Sequence, residues 1–248
     1  MAKSLTQWIE EDVRPLRSRS LSELGQYHFF RDPPRPTYAN ASYFFSPADG
    51  VIVYQDLVDP GAPIVDIKGA AYSLRNAMRD PSFDKRSLVI GIFMTFFDVH
   101  VNRIPYAGRL SYRALDPLDT YNHPMLDVEK AILEEIRVPA ERPAFLRYNE
   151  RTVNRIESSE LGTAYYVLQI ADYDVDSITP FTVKQDEPYA QGDRFSQIRF
   201  GSQVDLIVPL MDQYELVPLL EPGYHVEAGV DPLVKVAWRD AGGEQEKR

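Results

Sequence analysis

Apolar and polar positions alternate on both sides of Gly201-Ser202: Ile198 and Phe200 before the pair, Val204, Leu206 and Val208 after it. A period of two predicts strands, so 194–209 reads as two strands about a Gly-Ser break. Ser87 to Phe97 is the most continuous apolar run and predicts a buried strand that delivers Asp98-Val99-His100-Val101-Asn102-Arg103-Ile104-Pro105. Further strands are predicted over 51–53, 108–115, 145–156, 163–170, 178–183 and 233–238. Asp49-Gly50, between Phe45 and Val51, has the form of a hairpin turn. Helical spacing is confined to a few places. Leu5, Trp8, Ile9 and Val13 share one face of a helix over 4–13, with Ser4 and Gln7 placed as a capping box and Pro15 just beyond its end. Ser20 and Glu23 repeat the box. Asp127 is placed to cap a helix whose Val128, Ile132, Leu133 and Ile136 face one way.

Fifteen Tyr, 12 Phe and 19 Pro in 248 residues fit a mainly β (α+β) fold with many turns, and 44% hydrophobic residues can fill a core. An N-terminal helical segment over 1–28 leads into one domain over 29–240 with no linker inside it; the tail from Ala241 is polar and expected to fray. A net charge of −10 argues against nucleic acid as a partner and sets the chain against anionic membrane. There is no cysteine, and His28, His100, His123 and His225 have no metal-motif spacing, so no metal site is expected. No apolar run reaches the roughly 18 residues of a membrane span. The first 30 residues lack a signal-peptide core, which points to the cytoplasm.

Three features carry candidate chemistry. Gly201 has no Cβ, so its carbonyl can be approached closely, and Ser202 brings a nucleophilic oxygen next to it. The plain alternative is a turn, since both residues are common there. His100 follows a buried strand, which places it at the edge of the core with Asp98 and Arg103 nearby, an arrangement compatible with acid–base work as well as with a structural histidine. Asp49 is on its own merely a turn residue. The first helix is expected to pack on the domain rather than anchor to lipid, because Glu10, Glu11 and Asp12 would meet anionic headgroups.

The ordered set of motifs resembles the phosphatidylserine decarboxylase family in its short prokaryotic form. Phe-Phe-Arg-Asp-Pro (29–33), Ser-Pro-Ala-Asp-Gly (46–50), Phe-Asp-Val-His-Val-Asn-Arg-Ile-Pro (97–105), Asn-Glu-Arg (149–151), Gln-Ile-Ala (169–171) and Arg-Phe-Gly-Ser-Gln-Val-Asp (199–205) occur in the family's order. The resemblance implies a barrel-sandwich-like β assembly with a few peripheral helices, often a homodimer. It also implies a proenzyme that makes its own cofactor. Ser202 attacks the Gly201 carbonyl, the chain is cut into a β chain, 1–201, and an α chain, 202–248, and Ser202 becomes a covalent pyruvoyl group. His100 matches a family histidine and is the candidate base, and Asp49 the supporting carboxylate. The pyruvoyl group would form a Schiff base with the substrate amine and accept the electron pair released with CO2, with His100 also the candidate proton donor. Phe97, Asn102 and Arg103 are the candidate substrate-binding residues. The product expected from phosphatidylserine is phosphatidylethanolamine, made by a protein in peripheral contact with the inner face of the membrane, with Trp8 and Phe29 as the candidate apolar contacts.

The sequence departs from the family in three ways. Longer relatives carry a second histidine where this chain has Arg103. Short relatives often have a basic pair after Gln-Ile-Ala-Gly and an Arg after Gly-Ser, where this chain has Asp172 to Ser177 and Gln203. They also often carry apolar segments ahead of Phe-Phe-Arg-Asp-Pro. An anionic headgroup wants Arg or Lys, so the acidic stretch 172–176 keeps open a soluble amino acid or other amine-bearing carboxylate as substrate. A third alternative is a non-catalytic binding protein on the same fold.

Overall fold

The computed structural model describes residues 1–24, 28, 30–67, 70–139, 143–173, 176–199 and 201–239. Phe29, Phe200 and the tail from Ala241 lie outside them. In chain order the strands are β1 (Lys3–Ser4), β2 (Tyr43–Phe45), β3 (Gly50–Val58), β4 (Pro63–Ile67), β5 (Ala70–Ser73), β6 (Ser87–Met94), β7 (Val101–Arg103), β8 (Gly108–Leu115) and β9 (Arg151–Ser158). They continue with β10 (Thr163–Ala171), β11 (Ile178–Pro180), β12 (Glu187–Tyr189), β13 (Arg194–Ile198), β14 (Ser202–Pro209), β15 (Tyr214–Pro218), β16 (Tyr224–Val226) and β17 (Pro232–Trp238). The helical pieces are short: α1 (Leu5–Trp8) continuing as a π turn over Ile9–Val13, α2 (Leu21–Glu23), α3 (Leu74–Met78), α4 (Leu126–Leu133) and α5 (Phe145–Tyr148). Among the described residues no helix is long and apolar enough to cross a membrane.

Nine strands form one antiparallel sheet in the order β1-β16-β3-β6-β14-β10-β9-β8-β12. Alternation along each strand splits its side chains between two cores. Val51, Phe93, Val153, Leu168, Ile170 and Ile207 face a layer of helices, meeting Leu5, Trp8, Ile9 and Val13, then Leu74 and Met78, Val128 and Ile132, Phe145 and Leu146. Ile52, Ile90, Ile92, Met94, Val167, Val204 and Leu206 face the opposite way, against Phe44, Phe195, Ile198, Val234 and Val236. Those partners belong to two three-stranded sheets, β11-β13-β7 and β15-β17-β2. The molecule is therefore a β sandwich with helices on its outer face. The large sheet does not close into a barrel; β1 and β12 end it.

Several local expectations are corrected. The helix at 127 starts at Leu126 with Met125 at the N-cap and no capping side chain, so Asp127 sits in the first turn, where its charge complements the helix dipole. Phe145–Tyr148 is a helical turn, not strand: Phe145 and Leu146 pack into the helix-side core, and the strand begins only at Arg151. Asp49-Gly50 joins no hairpin, because β2 pairs with β17 and β3 with β16 and β6. Gly50 holds φ +150, and a Cβ there would lie 2.2 Å from the Phe93 carbonyl oxygen. The run at 87 stops at Met94 because Asp98 turns the chain, accepting from the Thr95 N–H at 2.7 Å. The strand at 178 ends at Pro180. Ser4 caps α1 through Gln7 N–H at 3.3 Å, but the Gln7 side chain goes to Glu11, so the box is half made; at Ser20 and Glu23 both halves are present.

Strand register collects the motifs at one end of the large sheet. Ser202 opens β14 opposite Met94, the last residue of β6, and Ala171, the last of β10. Gly50 opens β3 opposite Val226, the last of β16. Asp49, Thr95–His100, Asp172, Gly201 and Glu227 therefore all flank the same row of strand ends.

Candidate active site

Ser202 is fully buried, and its Oγ donates to Met94 Sδ at 3.2 Å. It points into the core shared with the smaller sheets. Beneath it a chain of amides crosses between layers. Asn102 Nδ2 approaches Met94 Sδ at 3.7 Å, Gln169 Nε2 donates to Asn102 Oδ1 at 2.7 Å and to Ser196 Oγ at 3.0 Å, and Asn154 donates to Gln169 Oε1 at 2.9 Å. These bonds satisfy polar groups that burial would otherwise make costly, and they hold the β14 start against β7 and β13. On the other side, Asp172 Oδ2 lies 2.8 Å from where a Cβ of residue 201 would stand. A side chain at position 201 would therefore have to displace that carboxylate.

His100 is fully buried rather than at the edge of the core. Its Nε2–H donates to the Thr95 carbonyl at 3.0 Å, which makes Nδ1 the basic nitrogen. Burial pushes the imidazole down to about 4, so the ring is neutral near pH 7, as a base must be. Asp49 is held from both sides. Arg35 donates to both carboxylate oxygens at 2.6 Å, and the Ala228 N–H adds a bond at 2.7 Å. A bidentate pair of this kind fixes orientation as well as charge.

Asp98 forms a second buried pair, with His225 Nε2 at 2.6 Å from its Oδ1. Burial alone would push Asp98 up, but His225 and the Thr95 N–H and hydroxyl more than offset this and leave it below the usual carboxylate range. Trp8 stacks on His225 with centroids 4.4 Å apart and planes 8° from parallel. Trp8 is 3% exposed, so it serves this contact and is not offered to lipid. Phe97 is half-buried and lines a polar cavity of about 330 Å³ with Asp49, Asp98, His225, His28 and Arg31. Arg31 Nη2 donates to the Phe97 carbonyl at 2.7 Å. Arg103 reaches Gly192 O and Asp32 Oδ1, each at 3.0 Å, and Asp32 also pairs with Arg194. The charge of Arg103 is thereby shared with the Arg-Asp-Pro turn at 31–33.

Three participants escape sequence reasoning: Arg35, His225 and Glu129. Glu129 is buried on α4 and accepts from the Phe96 N–H at 3.0 Å. Burial, with Asp98 and Asp172 adding like charge, pushes its carboxyl up to about 8. Asp172 accepts from the Met125 N–H at 2.8 Å. Their sequence signals are weak: Glu129 lies in a helix rich in acidic residues, and Arg35 and His225 are far from their partners along the chain.

Residues 26–233 match the family model described as phosphatidylserine decarboxylase. A phosphatidylserine decarboxylase proenzyme of Erythrobacter litoralis is 33% identical over 214 residues, covering 86% of this chain and 74% of that protein. One of Nitratidesulfovibrio vulgaris is 32% identical over 202 residues, 82% of this chain and 73% of that protein. A putative archaetidylserine decarboxylase proenzyme of Methanocaldococcus jannaschii is 33% identical over 183 residues, 73% of this chain and 77% of that protein.

Proposed function

The chain belongs to the phosphatidylserine decarboxylase family, and on that premise we propose that it is a self-processing proenzyme, cut between Gly201 and Ser202, whose mature form decarboxylates phosphatidylserine to phosphatidylethanolamine. The observation that carries this reading is the placement of Gly201-Ser202. The pair opens a central strand, with Ser202 out of water and a neutral buried His100 at the same row of strand ends.

The residues fit the chemistry. Ser202 Oγ would attack the Gly201 carbonyl carbon, and His100 Nδ1 would take the hydroxyl proton, which serine does not release unaided near neutrality. Asp49, clamped by Arg35, supplies fixed negative charge near His100; the ring feels Asp49 and Asp98 as charges that favour its protonated form. The dry setting strengthens these interactions. The pyruvoyl group left at residue 202 supplies the electron sink for loss of CO2. In turnover Phe97 lines the cavity, Asn102 holds the residue-202 end of β14 in place, and Arg103 is a cation for an anionic headgroup if it exchanges Asp32 for phosphate. Glu129, protonated near neutrality, is better matched than His100 to giving up a proton.

Exposed Leu118, Tyr121, Leu126 and Tyr173 support contact with a bilayer at this end of the molecule. Each is on a connection tied to the strand ends: Leu118 N–H donates to Tyr148 O, Tyr121 packs on His123, and Leu126 and Tyr173 adjoin the Met125–Asp172 bond. Burying a few such side chains gives weak, reversible association, at about 0.8 kcal/mol per methylene. The proposed enzyme thus works at the membrane surface; that it is a homodimer is what the family resemblance implies. The acidic Asp172 beside Gly201 favours the second reading, the same chemistry on a soluble amino acid.

Intact mass and denaturing electrophoresis of the purified protein test the processing. Two pieces are expected, the smaller blocked at its N-terminus and reactive with carbonyl reagents, while Ser202→Ala stays whole. A folded wild type that remains one chain overturns the reading. Release of CO2 from phosphatidylserine vesicles well above that from free amino acids selects the lipid; the reverse, without vesicle binding, selects the soluble substrate.

A further inference from the structure

Ser202 and Gly201 are both buried, so a substrate can reach residue 202 only if something moves after the cut. We propose that Asp172 is the positioning residue that drives this movement: its carboxylate repels the new chain end created at Gly201. The inference rests on self-processing as read above.

The bond changes define the charge. Ser202 Oγ bonds to the Gly201 carbonyl carbon, and the Gly201–Ser202 peptide bond breaks, its nitrogen gaining the hydroxyl proton. The Ser202 Cβ–Oγ bond then breaks as a base takes the Cα proton, and Oγ remains on Gly201. Cβ then takes up a proton, and water finally replaces the amine nitrogen, which leaves as ammonia. Before the cut Gly201 is neutral; after it, Gly201 ends in a carboxylate.

That carboxylate is formed against another. Asp172 Oδ1 is fixed by the Met125 N–H at 2.8 Å, and Oδ2 stands 2.8 Å from the Cβ position of residue 201. Ala171 is paired with Ser202 in the ladder, so Asp172 faces Gly201 from the neighbouring strand end. Asp98 and Asp172 both act on the nearby Glu129 carboxyl, so the surroundings are already acidic. Two like charges on neighbouring strand ends in a water-poor site repel strongly. Upstream, the chain stays anchored through Ile198 N–H to His100 O at 3.1 Å and Arg199 N–H to Ser177 O at 2.9 Å. Movement is thereby confined to the end beyond these bonds, and residue 202 is uncovered without dismantling β13.

The test compares wild type, Asp172→Asn and Asp172→Glu as full-length chains. Asn keeps the acceptor for Met125 N–H and removes the charge; Glu restores it. Cleavage is read on denaturing gels, and access to residue 202 by the rate at which a hydrazide labels the cleaved protein. Asp172→Asn is expected to cleave as wild type does but to label about tenfold more slowly, with Asp172→Glu recovering most of the rate. Labelling of cleaved Asp172→Asn at the wild-type rate overturns the proposal. Failure of Asp172→Asn to cleave also overturns it, by placing Asp172 in the cleavage chemistry instead. An uncut wild type is the separate failure of the self-processing reading.

Discussion

Replacing Glu129 by Gln isolates the cost of keeping an acid inside this protein. Burial and two neighbouring carboxylates raise Glu129 from an ordinary 4.5 to about 8. The folded state therefore holds a proton that the unfolded chain gives up above 4.5, and stability falls as pH rises through this window, by about 1.4 kcal/mol per pH unit. Gln has nearly the same shape, keeps an acceptor for the Phe96 N–H and never ionises. In a Ser202→Ala background, which keeps one chain, Glu129→Gln should match its parent at pH 4. It should exceed the parent by about 2 kcal/mol at pH 6 and by about 4 kcal/mol at pH 8. Urea unfolding at the three pH values gives the difference directly, and contributions from other titrating groups cancel between the variants. A difference that stays flat from pH 4 to pH 8 would show that Glu129 is not raised in the fold.

Other outcomes follow from the same geometry. With a base held near pH 4, self-cleavage should keep a level rate from pH 8 to 5 and fall only as the pH approaches 4; a fall centred on the ordinary histidine value of 6.5 would contradict the burial of His100. His100→Gln, close in size, should slow cleavage at least a hundredfold, on the scale typical of lost acid–base catalysis, while gels and thermal melting show a folded, uncut chain. His225→Leu removes the partner of buried Asp98 and should cost about 3–5 kcal/mol in urea unfolding. Adding Asp98→Asn to it should recover a large part, and no recovery would mean that the Trp8 stack, not the charge pair, carries the loss.

Legibility in the sequence followed the range of the forces involved. A continuous apolar run predicted β6, and strand patterns predicted β8, β10, β14 and β17, nearly to their ends, because each has a face fixed by one of the two cores. The turn at Phe145–Tyr148 was hidden because its apolar residues suit either state, and tertiary packing on the outer face decides it. Sheet order was not readable: β3 lies between β6 and β16, a strand more than 160 residues away along the chain, and no local pattern encodes that. The candidate residues Asp49, His100, Gly201 and Ser202 were found as motif members and Asp172 as part of an acidic stretch, while Arg35 and His225 became visible only through contacts across the fold. Even the motif reading placed His100 at the core's edge, when the loop after Met94 folds it fully inside.

The strand that begins at Ser202 has a bearing on how the two pieces of a cut chain could exist. β14 runs through the middle of the large sheet, bonded to β6 on one side and β10 on the other, while β16 closes on β1 and β3, and β17 lies between β15 and β2. Residues 202–239 are thus interlaced with the rest and contribute strands to two of its sheets. Parting the two would mean unravelling both, so they form a complex with no dissociation constant separate from its folding equilibrium. Neither piece would have a native shape to wait in. Made apart, they would have to build the sheet together, which places folding before scission in the life of the molecule.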